Sequence, residues 1–235
     1  MKAGLTEMVF VIDRSGSMHG LEKETMGGFN SLVEKQRKEP DEAYVTTVLF
    51  DDRYEVLHDH VRLEDVPEMT DDQYWARGTT ALLDALGKTI SDVGRRLHET
   101  PEKERPEQVI VVVTTDGYEN ASREYSKAKV REMIELQQNE YSWTFMFLGA
   151  NMDAVAEAGS LGIDAGFART YTASKRGQTN AYESLGQSMS AMRSYSANNL
   201  ASSNAESDGC VYSAGASFSL DEAREKAKNA LDEVE

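Results

Sequence analysis

Short, unbroken apolar runs alternate with stretches whose apolar residues recur every three or four positions. Met8-Val9-Phe10-Val11-Ile12 is such a run, suited to a strand buried on both faces, and it ends at Asp13 in a Ser/Gly-rich turn. From Leu21 to Lys38 the spacing predicts a helix with Phe29, Leu32 and Val33 on one face and Pro40 just beyond its end. Ala43 to Phe50 and Tyr54 to Val61 are β-rich runs joined by Asp51-Asp52-Arg53, a short polar connection that favours an antiparallel hairpin. After a long acidic loop, Arg62 to Arg77, Leu82, Leu86, Ile90, Val93 and Leu97 return at helical spacing. Gln108 to Thr115 is dense in β-branched residues, reads as a central parallel strand and stops at Asp116-Gly117.

Ser126 to Gln138 then reads as helix, Ser142 to Leu148 as strand, Met152 to Ala158 as a short helix and Ala168 to Ala173 as a last strand. Strands alternating with helices predict an α/β fold: a Rossmann-like, doubly wound, mainly parallel sheet with one antiparallel edge strand and helices on both faces. The character changes near Ser174, which divides the chain into a domain over residues 1–175 and an extension over 176–235. In the extension Asn180 to Met192 can form a helix, and Ser194 to Ser217, rich in Ser, Ala, Asn and Gly, reads as irregular. Ser219 and Glu222 have capping-box spacing, and Leu220, Ala223, Ala227, Leu231 and Val234 make the narrow stripe of a terminal docking helix, from which Glu233 or Glu235 could reach a neighbour's site.

Charge and cysteine narrow the function classes. Against 41 acidic residues stand 25 basic ones, a formal charge of -16 that repels nucleic acid and anionic membranes. The single Cys210 can form no internal disulfide, no signal-peptide pattern opens the chain, and Val109 to Val113 is too short to span a bilayer, so the expectation is a cytoplasmic protein.

Three segments place side-chain oxygens just past strand ends or at a helix start: Asp13, Ser15 and Ser17; then Thr80; then Asp116. In open α/β sheets ligands bind outside the carboxyl ends of the strands, so these groups can converge. Two carboxylates and three hydroxyls, with no His or Cys, form a hard shell for magnesium or manganese rather than zinc or copper. Asp-x-Ser-x-Ser alone is weak evidence, but its position after an apolar strand and its two companions strengthen it.

Val9 to Met18, Gly78-Thr79-Thr80-Ala81-Leu82 and Thr115-Asp116-Gly117 resemble the three parts of the metal-ion-dependent adhesion site of von Willebrand factor A domains, and the resemblance covers residues 1–175. It implies Ser15, Ser17 and Thr80 as metal ligands, with Asp13 and Asp116 binding directly or through water, and an open coordination position filled by a partner's Glu or Asp. The family usually has two glycines before the Thr; here Gly78 alone precedes Thr79-Thr80. Thr80 is favoured because Ala81-Leu82 follows it, Thr79 is the alternative, and a helix N-cap is the structural reading of either. Intracellular relatives in this family often serve ATPase-linked or stress-response assemblies, an analogy that names no partner.

The expected function is therefore a protein-binding module that grips an acidic partner through a divalent cation, not an enzyme. The rival is magnesium-dependent phosphotransfer or phosphatase chemistry at Asp13, but Ser15 stands where haloacid-dehalogenase-like phosphatases place a second Asp, and no phosphate-binding Gly-x-x-x-x-Gly-Lys loop exists. His58 and His60, two apart on a predicted strand, read as exposed edge residues rather than a metal pair, and His19 as surface decoration near the Asp13 loop.

Overall fold

The computed structural model describes residues 1–207 and 219–232, with side chains through residue 198 and from 219. Six strands form one sheet: β1 (Lys2–Asp13), β2 (Glu42–Phe50), β3 (Tyr54–Arg62), β4 (Pro106–Thr115), β5 (Thr144–Ala150) and β6 (Ala168–Tyr171), in the order β3-β2-β1-β4-β5-β6. All neighbours pair in parallel except β2 and β3. The apolar runs of β1 and β4 lie side by side at the centre, from Met8 beside Ile110 to Ile12 beside Thr114, and are buried from both sides.

Helices α1 (Glu22–Gln36), α2 (Leu82–Glu99), α3 (Lys127–Tyr141), α4 (Ala154–Ser160), α5 (Lys175–Ser207) and α6 (Leu220–Asp232) flank the sheet. From β1, α1 leads to β2, whereas α2 leads back across the sheet to β4; right-handed crossovers therefore put α1 and α2 on opposite faces. Accordingly α1 packs with α5, and α2 with α3. Strand order reverses between β1 and β4, and both strands end at the same edge, which opens a crevice there.

Four expectations need correction. β1 begins at Lys2, not Met8, because Glu7 is carried through the core by the Arg96 guanidinium and the Thr46 hydroxyl, at 2.7 and 2.8 Å. His58 and His60 are not a pair of exposed edge residues: irregular pairing between Val45 and Val48, with His60 at φ 52°, breaks the alternation. His58 is buried, stacked on Phe29, and its Nδ1 lies 3.0 Å from Thr47 Oγ1, while His60 Nδ1 lies 2.7 Å from Glu7. Next, α5 starts before Asn180 and stays helical to Ser207, well into the stretch expected to be irregular. The helix packs against α1 and β1, and its Ser184, Ser188 and Ser196 are buried, Ser188 Oγ lying 3.7 Å from Met146 Sδ of β5, so low hydrophobicity here does not mean exposure. The rest of that stretch, with Val234, Glu233 and Glu235, lies outside the described residues. Finally, Ala81 rather than either Thr occupies the cap position of α2.

Candidate metal centre

Asp13 ends β1, and the register sets it beside Thr115 at the end of β4. Its buried carboxylate accepts the Ser15 N–H on Oδ1 (2.6 Å) and the Thr115 hydroxyl on Oδ2 (2.6 Å). The turn after Asp13 brings Ser15 Oγ within 3.0 Å of Ser17 Oγ, and the Ser17 hydroxyl donates to Asp116 Oδ1 at 2.5 Å. Loops separated by 99 residues thus touch directly.

Thr80 is held from both sides by Asn120, whose Oδ1 accepts the Thr80 N–H and whose own N–H donates to the Thr80 carbonyl, each at 3.0 Å. Its side chain points at Gly117: a Cβ on that glycine would stand 2.9 Å from Thr80 Oγ1 and 3.3 Å from Ser17 Oγ. Thr79, one residue earlier, is exposed. The N-terminus of α2 is capped from the third loop, where Glu119 accepts the Leu83 N–H (2.8 Å) and Ser122 the Asp84 N–H (3.0 Å). This frees Thr80 from a capping role. His19 is exposed and sits 3.2 Å from Glu22.

Burial raises the Asp13 carboxyl to about 6, against the lowering effect of its hydrogen bonds from Thr115 and Ser15. Burial also raises Asp116, opposed by the Ser17 hydroxyl. Asp13 is buried and Asp116 partly buried, and among the described residues their hydrogen-bond partners include no cationic side chain. Among the described residues no group of three or more His, Cys, Asp or Glu side chains is arranged to hold a metal, so a cation here needs hydroxyl oxygens. Ser15, Ser17 and Thr80 offer such oxygens, with Ser15 and Ser17 Oγ 3.0 Å apart and Thr80 Oγ1 beside Gly117. The donor set fits a small, hard dication.

Several supporting residues had no separate sequence signal. Tyr74, in the long loop before α2, donates its hydroxyl to the Asp13 carbonyl at 2.5 Å, and nothing local marked it. Asn120 and Thr115 flank the Asp116-Gly117 turn, where polar side chains past a strand end were the available clue. Arg14 is fully buried and reaches Asp51 and Glu55, a placement that a residue between Asp13 and Ser15 does not announce.

The family model described as von Willebrand factor type A domain matches residues 7–182. No curated protein matches the chain. Among solved structures, proximal thread matrix protein 1 from the mussel byssus (crystal form 2) is 21% identical with a TM-score of 0.58, over 78% of this chain and 45% of that one. A further structure of that mussel protein, with a zinc-occupied MIDAS motif, is 20% identical with a TM-score of 0.53 over 78% and 45%. The vWF domain of the type V pili tip protein Mfa5 from Porphyromonas gingivalis is 11% identical with a TM-score of 0.55, over 80% of this chain and 96% of that one. This chain thus spans less than half the length of the mussel protein, and at these identities the likenesses speak to fold. Among the described residues no helix is long and apolar enough to cross a membrane.

Proposed function

The chain belongs to the von Willebrand factor type A domain family, and from that premise we propose that it is a binding module: Asp13, Ser15, Ser17, Thr80 and Asp116 hold one magnesium or manganese ion that takes an acidic side chain of a protein partner. The observation that carries this reading is the convergence of hydroxyl and carboxylate oxygens from three loops at the β1–β4 crevice, with Ser15 to Ser17 at 3.0 Å and Ser17 to Asp116 at 2.5 Å. The zinc-occupied MIDAS motif of the mussel byssus protein supports it by analogy.

When bound, the cation supplies a positive centre able to accept a carboxylate oxygen from outside. The chain's part is to hold the shell and to set its charge. Asp13 and Asp116 contribute two negative charges, and hydroxyls complete the set without adding more, which keeps a dication electrophilic. Asp13 is clamped by Thr115 and the Ser15 N–H, so its oxygens are already oriented. Without a cation, an approaching carboxylate meets two like charges in a protein of net charge -16.

Phosphotransfer is the weaker reading. The Asp13 carboxylate is fully buried and both its oxygens are engaged by Ser15 and Thr115, an arrangement poorly suited to in-line attack on phosphorus.

The test uses calorimetry with Mg2+ and Mn2+ on the wild type, Asp13→Ala and Thr80→Ala, followed by a panel of Glu-containing peptides and their Gln counterparts. Cation binding by the wild type alone, and peptide binding that needs both the cation and Glu, support the reading. Peptide binding that persists in EDTA, or that does not distinguish Glu from Gln, overturns it.

A further inference from the structure

The three loops of the shell are not joined equally. The first and third touch through side chains, Thr115 to Asp13 and Ser17 to Asp116, and the second is tied to the third by Asn120. Between the first and second the direct hydrogen bonds end on main-chain atoms of the first loop: the Tyr74 hydroxyl to the Asp13 carbonyl (2.5 Å), Gly16 N–H to the Gly78 carbonyl (3.1 Å) and Arg77 N–H to the Arg14 carbonyl (2.8 Å). The turn between β2 and β3 strengthens this seam. Asp51 Oδ2 accepts Nε of Arg14 at 3.0 Å and Nε of Arg77 at 2.7 Å, one residue from each loop. Its carbonyl accepts the N–H of Ala81, the residue after Thr80, at 2.9 Å, and the neighbouring Phe50 carbonyl accepts the Arg14 N–H at 2.8 Å. Glu55 adds a second carboxylate behind Arg14 at 2.6 Å. The fit is close: Gly78 has φ +67°, and a Cβ there would overlap Asp52 Oδ1.

We propose that Asp51 is a positioning residue for the metal shell, holding the Ser15–Ser17 side and the Thr80 side at a separation suited to a small cation. This rests on the metal-site reading above. Asp51 is itself buried and paired with two guanidinium groups, so it acts through Arg14, Arg77 and Ala81 rather than as a ligand. Magnesium needs near-ideal octahedral geometry at about 2.0–2.1 Å, whereas calcium tolerates about 2.3–2.6 Å and irregular shells. A loosened seam therefore weakens magnesium more than calcium.

The experiment measures Mg2+ and Ca2+ affinity by calorimetry for the wild type, Asp51→Asn and Arg77→Met, with urea unfolding of each in EDTA. Arg77→Met leaves the buried Arg14–Asp51 pair in place, so it reports even where Asp51→Asn folds poorly. The expected result is a loss of roughly 10- to 100-fold in Mg2+ affinity for Asp51→Asn and a smaller loss for Arg77→Met, as for other groups that orient metal ligands. Calcium affinity is expected to change by less than about threefold, so that the Mg2+/Ca2+ ratio falls. Folded variants that keep the wild-type ratio, even with reduced stability, overturn the positioning role alone. A wild type that binds neither cation overturns the site reading beneath it.

Discussion

Thr115 donates its hydroxyl to Asp13 Oδ2 across 2.6 Å, joining the ends of the two central strands where the sheet's order reverses. The same hydroxyl accepts the Gly117 N–H at 3.1 Å, so one side chain orients both an acidic residue of the first loop and the turn of the third. Thr115→Val keeps the shape and removes the bond. We expect the fold to persist and Mg2+ affinity to drop by about 10- to 100-fold in calorimetry, while an unchanged affinity would show that Asp13 needs no such orientation.

Gly117→Ala removes no candidate ligand, yet its methyl group would stand 2.9 Å from Thr80 Oγ1, a contact ordinary Cβ atoms avoid. Thr80 and Ser17 would have to move apart. The expected outcome is loss of cation binding with an unaltered far-UV circular dichroism spectrum. Retained affinity would place the cation away from Gly117.

His58 links stability to pH. Burial lowers its pKa from the ordinary 6.5, so it stays neutral in the fold while the unfolded chain takes up a proton below about 6.5. The unfolded state then binds more protons, and stability must fall as pH drops through the window between 6.5 and the lowered folded value. Urea unfolding of the wild type and His58→Phe in EDTA, from pH 7.5 to 5, should show the wild type losing more, with a difference in slope of at most about 1.4 kcal/mol per pH unit. Parallel profiles would mean that His58 protonates equally well in the folded chain.

Arg193 of α5 is fully buried, paired with Asp41 at 2.8 Å and donating to the Gln36 carbonyl at 2.6 Å. Arg193→Leu leaves Asp41 charged, buried and short of a partner, and is expected to cost roughly 3–5 kcal/mol in urea unfolding. Arg193→Leu combined with Asp41→Asn should recover part of that. No recovery would shift the cause from the stranded charge to lost packing. By the same logic a chain ended at residue 175 loses the cover that Tyr182, Leu185, Met189 and Met192 provide and should not fold alone, which limited proteolysis and circular dichroism can check.

Much of the fold was legible because parallel strands buried on both faces leave unbroken apolar runs, as in Val9 to Ile12 and Val109 to Val113. What escaped was settled over long range. Glu7 looks like the end of a strand until Arg96, 89 residues away, neutralises it. The serine-rich stretch of α5 looks unfit for a core until the helix is seen to pack on β1 and α1 with Ser184, Ser188 and Ser196 buried. The oxygen-bearing residues of the candidate site are set in local motifs, so they could be proposed from the sequence alone. Tyr74 and Asp51 could not, since their roles lie in bonds to Asp13 and to Arg14, 61 and 37 residues distant.

The Ser17–Asp116 contact closes a span of 99 residues, so its two oxygens meet only after β1 and β4 are paired. A denatured chain offers a dication scattered, weakly held groups and no shared cage. On the proposed reading, cation affinity is conferred by folding and occupancy acts back on the equilibrium: at a free concentration one hundred times Kd, about 2.7 kcal/mol would be added to the native state. The expected consequence is a melting temperature that rises with the surrounding metal supply, the metal-free protein opening first and the metal-bound one last.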